Sequence, residues 1–289
     1  MTKKKIRFTL LDTVLIALLL LAAAFLVYRV GVEMRYRWQW PVILQYLARQ
    51  DGGHWAAGTL MLGFLTTVKL SLWATVLATL LGTVMGLLRV SHGLFQRLVA
   101  VTYVEMVRNL PPLVLVFIVY FFIGERIMTL FGVEHLVRAA SPDARGLLSF
   151  FFAPPARLSG FFAGLATLVL YEAAYITEIV RAGIQSIEKG QWEAAHALGL
   201  SRWQQLRFVI LPQAFQRILP SLAGQLISTI KDSAIVSVIS IPELTFQGLE
   251  LMSATYLTFE VWITITALYF LLTFACSLGV KRLETAWQK

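Results

Sequence analysis

The chain has 289 residues, of which 58% are hydrophobic and only 14% are charged, and its mean hydropathy is +0.72. Because soluble domains are about a quarter charged, these values exclude an ordinary soluble globule and indicate a membrane protein. The formal net charge of +9 would suit a nucleic-acid partner, but in membrane proteins basic residues gather in cytosolic loops. With Cys276 as the single cysteine, an intrachain disulfide and a cysteine-rich metal site are both excluded.

Six apolar stretches approach the length of about 20 residues that a helix needs to cross the hydrocarbon core. They lie near residues 11–28, 60–88, 99–123, 160–182, 217–240 and 258–280. The first follows a basic N-terminus, as in a secretory signal, but it stays apolar up to Tyr28, which favours a retained span over a cleaved signal. We therefore predict an all-α membrane protein of about six transmembrane helices.

The distribution of lysine and arginine predicts the orientation. An even number of spans leaves both termini on one side of the membrane. If that side is the cytosol, the inner segments carry more basic residues than the outer ones although they are shorter in total. The positive-inside rule therefore assigns both termini to the cytosol. No face collects a dense basic stripe with interleaved aromatic residues, so nucleic acid is not expected as a partner.

Two outer segments, 29–59 and 124–159, connect the spans on the other side. In the second of them, Ser141–Asp143 and the pair Pro154–Pro155 predict turns. Between these turns, the apolar and aromatic stretch Leu147–Phe152 predicts a segment that lies at the outer interface.

The cytosolic segment Glu188–Pro212 is too polar and too interrupted to cross a bilayer. Good helix formers over Gln191–Leu198 are followed by Gly199, which predicts a helix with a left-handed C-cap. Ser201 and Gln204 then stand at the spacing of a capping box, which predicts a second short helix limited by the proline that ends the segment. The segment should fold as a helix, a tight turn and a helix.

One surface of this helical loop is expected to suit a protein partner. Ala194, Ala195 and Ala197 keep it small, so another backbone can approach closely, and Glu193 offers a charge-assisted hydrogen-bond acceptor at the rim. The residues alone fit equally well with an ordinary helix–loop–helix packed on its own bundle.

The loop resembles the signature of the membrane subunits of ABC importers, which reads EAA, three residues, Gly, nine residues, Ile, any residue, Leu and Pro. The matching residues are Glu193, Ala194, Ala195, Gly199, Val209, Leu211 and Pro212. Val209 in place of isoleucine is a conservative departure. The resemblance implies that this coupling loop seats in a groove of a separate ATPase subunit. It also implies a type I ABC importer permease core of five helices.

The resemblance covers roughly residues 60–283. Residues 1–59 match no shared motif and are assigned to an extra N-terminal helix with its outer loop, and residues 284–289 are assigned to a cytosolic tail. The coupling loop itself corresponds to residues 188–212.

Three further motifs resemble the subfamily that imports polar amino acids. They are Tyr103–Pro111 with its Glu105 and Arg108, Glu178–Gln191 with its Arg181, and Lys231, Asp232 and Ser233. Ala234 departs from the pattern, since many members carry a further Ser or Thr there. The resemblance implies a permease of the bacterial cytoplasmic membrane. Its implied partners are an ABC ATPase, a second identical or homologous permease subunit, an extracytoplasmic amino-acid-binding protein and membrane lipid.

Ionisable residues in or near the spans are candidates for gating. Glu105 with Arg108, and Glu178 with Arg181, stand at i,i+3 and share a helix face. They are either local pairs beside the cytosolic interface or pairs across helices that change with conformation and link loop movement to a gate. The second reading requires a two-state element.

Lys231, Asp232 and Ser233 fall within the fifth predicted span, where polar groups are tolerated if they face protein or a water-filled cavity. An amino acid carries a carboxylate and an ammonium group, so these residues are candidates for the substrate path. Glu172 in the fourth span is a further candidate, for contact with a cationic substrate. A structural ion pair explains the first group, and a buried structural carboxylate explains Glu172, without any transport role.

The chain contains no GxxxxGK[ST] phosphate loop, so we expect no cofactor on this chain, with ATP and Mg²⁺ on the ATPase subunit. No His, Cys or carboxylate cluster has catalytic or metal-ligand spacing, so neither an enzyme nor a metal site is expected. Two alternative transport functions stay open. One is an ABC permease for an osmolyte or another small amine, and the other is a stand-alone ion-coupled carrier that uses Lys231 and Asp232.

Overall fold

The computed structural model describes residues 9–33, 36–51, 53–124, 126, 132 and 140–287. The chain divides into two compact units, Met1–Ile43 and Leu44–Lys289. In the first unit, α1 spans Leu10–Glu33. Its start is fixed by reciprocal capping, because the Thr9 N–H donates to the Asp12 carboxylate at 2.8 Å and the Asp12 N–H donates to the Thr9 hydroxyl at 3.3 Å.

The predicted outer segment 29–59 contains regular structure that the sequence analysis did not anticipate. Helix α2 (Trp40–Leu47) leads into an antiparallel hairpin of β1 (Ala48–Asp51) and β2 (His54–Ala57). Gly53 has a φ of +86°, a conformation that two-residue hairpin connections require and that glycine adopts without strain.

Helices α3 (Thr59–Arg89) and α7 (Leu158–Gln185) pack along each other at the centre of the second unit. The contact is close because α3 presents glycines. A Cβ added at Gly82 would lie 2.7 Å from Ile176, and one added at Gly86 would lie 2.7 Å from Val180. The two predicted spans over 60–88 and 160–182 are therefore observed as one tightly packed pair.

The predicted span 99–123 is sharply bent in the structure. The segment forms α4 (Leu94–Asn109) and α5 (Pro112–Ile118), with a wider π-helical turn following at Val119–Gly124. The two parts, Leu94–Asn109 and Pro112–Phe122, are bent by 116°. The consecutive prolines Pro111 and Pro112 explain the break, because they lack backbone donors and disfavour helical geometry in the residues before them.

The turn predicted at Ser141–Asp143 is instead the start of a helix, α6 (Pro142–Phe151). Ser141 is its N-cap and accepts a hydrogen bond from the Ala144 N–H at 3.3 Å, and Pro142 occupies the first helical position, where its missing N–H costs nothing. A short 3₁₀ turn, Pro155–Arg157, then leads into α7.

The second half of the unit begins with the predicted coupling loop. It consists of α8 (Lys189–Ala197), α9 (Arg202–Gln204), a π-helical turn (Gln205–Ile210), α10 (Leu211–Asp232) and a 3₁₀ segment (Ser233–Ile239). Pro212 was expected to limit the second short helix, but the chain stays helical from Arg202 to Ile239. The proline sits in the first turn of α10, directly after the wider π-helical turn, so its missing N–H is tolerated there.

The chain ends in α11 (Leu244–Thr255) and α12 (Thr258–Trp287). Within the described residues, four helices are long and apolar enough to cross a membrane, or five if the bent pair α4–α5 is one span. The apolar part of α1, Leu10–Phe25, is shorter than the other candidates. The all-α class is confirmed, whereas the count of six spans is not.

Candidate functional site

The predicted cytosolic loop folds as a helix, a glycine turn and a helix. Gly199 has a φ of +73°, and the Leu200 N–H donates to the Ala195 carbonyl at 3.3 Å, which closes the C-terminus of α8. The Ser201 N–H donates to the Gln204 side-chain oxygen at 2.8 Å, and the Gln204 N–H donates back to the Ser201 hydroxyl at 3.5 Å. The glycine C-cap and the capping box are therefore confirmed.

The exposed surface of this coupling loop differs from the predicted one at a single alanine. Glu193, Ala194 and Ala197 are exposed, and Leu198 is 78% exposed. Ala195, however, is only 2% exposed, so it packs inward and does not contribute to the small outer surface. A partner can approach Ala194 and Ala197 but not Ala195.

A recess of about 490 Å³ lies beside Glu193. It is lined by Trp192, Glu193, His196, Leu200, Ser201, Arg202 and Gln205. The Arg202 guanidinium lies 5.4 Å from the centroid of the Trp192 ring, a cation–π arrangement, and the Gln205 amide donates to the Leu200 carbonyl at 2.7 Å. The loop therefore offers a partner a depression with polar groups in its lining as well as a projecting helix.

Hydrogen bonds join the coupling loop to α10, and α10 to the end of α7. The Gln213 amide of α10 donates to the Gln191 side chain of α8 at 3.1 Å, and the Arg217 guanidinium of α10 donates to the Ser186 carbonyl at the end of α7. The motif residues at 209 and 211 pack against a buried cluster that contains Ile210 and Ala214. Displacement of the loop therefore has to move the ends of α7 and α10 with it.

Glu178 is the centre of an ionic cluster that joins three helices. Its carboxylate accepts a hydrogen bond from Arg181 at 2.9 Å, forms an ion pair with Arg89 of α3 and lies 3.9 Å from the guanidinium of Arg108 of α4. The Glu178 side chain is only 18% exposed. Sequence reasoning did not identify Arg89 as a partner of Glu178. The available signal was its position at the end of a span, at the same expected depth as Glu178.

Glu105 contacts Arg89 at 3.6 Å and accepts from the Asn109 amide at 2.9 Å, so it pairs with α3 rather than with Arg108 of its own helix. The Arg108 guanidinium lies 5.4 Å from the centroid of the Tyr175 ring. Arg108, Glu178, Arg181 and Arg217 share a recess of about 560 Å³. The two predicted i,i+3 motifs therefore belong to one polar cluster.

Of the predicted substrate-path residues, the structure brings Asp232 to Glu172, which is completely buried. The Gln225 amide of α10 donates to its carboxylate at 2.6 Å, and Asp232 interacts electrostatically with both Glu172 and Lys231. Lys231 is exposed, whereas the buried Ser233 hydroxyl donates to a backbone carbonyl, that of Ile230, at 2.8 Å. Among the residues that the structure describes, no group of three or more His, Cys, Asp or Glu side chains is placed to hold a metal ion.

Sequence reasoning missed a second buried carboxylate, Glu243, which has no exposed surface. It accepts from the Phe246 N–H at 2.7 Å, from the Tyr269 hydroxyl at 2.8 Å and from the Thr67 hydroxyl at 3.3 Å. Glu243 thus caps α11 and joins it to α3 and α12. Its position after Pro242 and before an apolar helix was a usable N-cap signal.

Comparisons with known proteins place this geometry among transport systems. The family model described as "Binding-protein-dependent transport system inner membrane component" matches residues 78–289. The glutamine transport system permease protein GlnP of Escherichia coli strain K12 is 36% identical over 220 residues, which cover 75% of this chain and 89% of that protein. The probable glutamine ABC transporter permease protein GlnM of Bacillus subtilis strain 168 is 33% identical over 227 residues, which cover 78% and 92%.

A solved structure described as an amino acid ABC transporter with histidines is also similar. Its TM-score is 0.66 at 31% sequence identity, and the match covers 87% of this chain and 100% of that one. The coupling loop, the ionic cluster around Glu178 and the residues around Glu172 all lie within the region that the family model matches.

Proposed function

We propose that this chain is the permease subunit of an ATP-driven ABC importer for polar amino acids. The proposal starts from its family, because the chain belongs to the binding-protein-dependent transport system inner membrane components. The two relatives compared above carry glutamine permease names, and the similar solved structure is an amino acid ABC transporter. The observation that carries the proposal is the exposed coupling loop, with Glu193, Ala194 and Gly199 on its surface.

The chain itself performs no catalytic chemistry. A separate ATPase subunit binds ATP and Mg²⁺, and its nucleotide cycle supplies the free energy for transport. In the proposed contact, Glu193 is the charged acceptor at the rim, Ala194 and Gly199 allow close approach, and the buried Ala195 holds the helix against its own bundle. Leu211 and Pro212 connect the docked loop to α10.

Movement of the docked loop is transmitted through the spans as a change between two states. The loop is hydrogen-bonded to α10, and α10 is hydrogen-bonded to the end of α7, the helix that carries Glu178 and Arg181. The cluster of these residues with Glu105 and Arg108 is assigned to the gate. An import cycle then alternates access, because the motor binds its two states with different free energies.

The substrate path is assigned to Glu172, Lys231, Asp232 and Ser233. Acceptors for the ammonium group of an amino acid are available at Glu172 and Asp232, and a cationic donor for its carboxylate is available at Lys231. Because Glu172 is sealed in this conformation, α10 must shift against α7 before a substrate can reach it.

The proposed assembly contains a second permease subunit, identical or homologous, and an extracytoplasmic amino-acid-binding protein that meets the outer segments 29–59 and 124–159. The complex lies in the bacterial cytoplasmic membrane, in contact with its lipid, with both termini of this chain in the cytosol. The exposed apolar residues on α12, among them Phe270, Leu271 and Phe274, suit contact with lipid or with the second subunit.

Charge reversal in the coupling loop tests the proposal. Glu193→Lys is expected to abolish uptake of polar amino acids by cells that carry the whole importer, while the subunit stays in the membrane at its normal abundance. Gln96→Lys is the control, because it also places a lysine at an exposed position, but on α4 and outside both the loop and the outer segments. Normal uptake by the Glu193→Lys variant would contradict the docking role.

Site-specific crosslinking provides a second, independent test. In a Cys276→Ser background, Ala194→Cys labelled with a photoreactive maleimide is expected to capture the ATPase subunit. A label at Asp143→Cys is expected not to capture it. If the ATPase is captured from position 143 and not from position 194, the proposed orientation is inverted and the docking surface is wrong.

A further inference from the structure

A cavity of about 290 Å³ lies at the ends of α3 and α7 that are opposite to the coupling loop. Its walls come from the first turns of α3, the π-helical turn after α5, the segment that leads into α7, and α11 with the turn before it. Small-molecule sites in proteins have volumes of about 300–1,000 Å³, so this cavity suits a small metabolite rather than a peptide. None of the residues assigned above to coupling or to the substrate path lines it.

The inner wall of the cavity carries a buried amide. Gln247 of α11 is only 8% exposed, and its side chain packs so closely on α3 that a Cβ added at Gly63 would lie 2.8 Å from its Cγ. Across the described part of the chain, no side-chain hydrogen bond satisfies this amide, although it lines the cavity. Because an amide both donates and accepts hydrogen bonds, this group is suited to bind a polar molecule inside the cavity.

The cavity is also lined by two charges of opposite sign. Arg157, which directly precedes α7, and Glu250 of α11 are both exposed and both line the space. Within the described ranges, neither side chain has an ion-pair partner. Arginine binds carboxylates through two parallel hydrogen bonds, and a carboxylate accepts charge-assisted hydrogen bonds from an ammonium group. This pair of charges therefore complements a zwitterion.

The remaining lining residues add hydroxyl groups. Tyr120, Thr66 and Ser240 contribute them from three different elements. Ser240 has a φ of +59°, a left-handed conformation that is uncommon for a residue with a side chain. Its bend turns the chain from the 3₁₀ segment after α10 towards α11 and brings Gln247 and Glu250 to the cavity.

We propose that this cavity is an outer binding site for a zwitterionic α-amino acid with a neutral carboxamide side chain. Arg157 pairs with the α-carboxylate, Glu250 pairs with the α-ammonium group, and the amide of Gln247 exchanges hydrogen bonds with the carboxamide. This inference rests on the proposed function and assigns a substrate class to it. The site precedes the residues around Glu172 on the way inward.

Binding of L-glutamine and three analogues to the purified permease–ATPase complex, without the binding protein, tests the three contacts separately. The analogues are 4-aminobutanamide, which lacks the carboxylate, 4-carbamoylbutanoate, which lacks the ammonium group, and L-norvaline, which lacks the amide. The wild-type complex is expected to bind L-glutamine at least about tenfold more tightly than each analogue, because each analogue leaves one charged or buried group unpaired.

Each variant is expected to lose one discrimination and keep the other two. Arg157→Gln loses the preference over 4-aminobutanamide, Glu250→Gln loses the preference over 4-carbamoylbutanoate, and Gln247→Leu loses the preference over L-norvaline. Arg145→Gln and Asp143→Asn, which change exposed charges on α6, serve as controls and are expected to keep all three.

The inference is overturned if the three variants discriminate as the wild type does, or if each weakens all four ligands equally, as a purely structural role would. It is also overturned if the variants bind normally but abolish the stimulation of ATPase activity by the binding protein, since the charges then serve protein docking. Failure of the wild-type importer to take up any α-amino acid would instead refute the proposed function. Normal uptake with unchanged discrimination refutes only the site.

Discussion

Replacing Glu178 by glutamine removes the central negative charge of the ionic cluster while keeping the shape of the side chain. Glu178 is 18% exposed, and two of its partners, Arg89 and Arg181, are 15% and 30% exposed. Removing one partner of a fully buried ion pair costs about 3–5 kcal/mol, and an exposed pair contributes at most about 1 kcal/mol. For this partly buried cluster, we expect a loss of about 2–3 kcal/mol of unfolding free energy, between those limits.

Glu105→Gln is the matched control. The Glu105 side chain is 58% exposed and its Arg89 contact is longer, at 3.6 Å, so its loss is expected to cost less than about 1 kcal/mol. Thermal unfolding of the purified complex, followed by tryptophan fluorescence, measures the difference. A kcal/mol corresponds to about 2–4 °C of Tm for chains of 150–250 residues and to less for longer ones, so Glu178→Gln lowers Tm by at most about 12 °C and Glu105→Gln by less than about 4 °C.

Two outcomes would refute the reasoning about Glu178. If the two variants lose the same stability, the partial burial of Glu178 contributes nothing. If high salt leaves the stability difference between the wild type and each variant unchanged, the contacts are not ionic, since salt screens ion pairs and screens the exposed Glu105 pair more than the partly buried one. Either result would remove the physical basis for placing Glu178 at the centre of a gate.

Two further predictions concern local structure. Gly86→Ala places a Cβ 2.7 Å from Val180 and is expected to destabilise the α3–α7 contact by about 1–3 kcal/mol. Gly146→Ala, where no atom lies within 4 Å, leaves Tm unchanged or raises it, and equal effects of the two variants would contradict the close packing. Ser201→Ala removes the N-cap of α9 and is expected to cost about 1 kcal/mol. It should speed amide hydrogen exchange at Gln204 roughly fivefold, and unchanged exchange there would show that the cap contributes nothing.

The features that sequence reasoning predicted correctly depend on neighbouring residues. The C-cap at Gly199 and the capping box at Ser201 are decided within one helical turn, so their residue types and spacing are sufficient signals. The hydrophobic length of the spans is also a local property.

The features that sequence reasoning missed depend on contacts between distant segments. Arg89 precedes its partner Glu178 by 89 residues, and the hydrogen-bond partners of Glu243 lie on α3 and α12. The inward orientation of Ala195 is likewise decided by how α8 packs on the bundle. The break after Leu110 was visible in the two prolines that follow, but the apolar pattern continues across it, and hydrophobicity cannot distinguish a straight span from a broken one.

The described contacts also decide which part of the chain can move as one piece. α3 and α7 interlock through the glycines of α3, and a Cβ added at Gly183 of α7 would lie 2.1 Å from Ile218 of α10. These three helices therefore have no room to slide past one another at those points, and interfaces packed this closely change in discrete steps. A force on the coupling loop is expected to move α3, α7 and the first half of α10 together. Opening of the path at Glu172 then requires the second half of α10, beyond Pro220, to bend away. Pro220 weakens the helix between Ile218, which packs on Gly183, and Gln225, which binds Glu172.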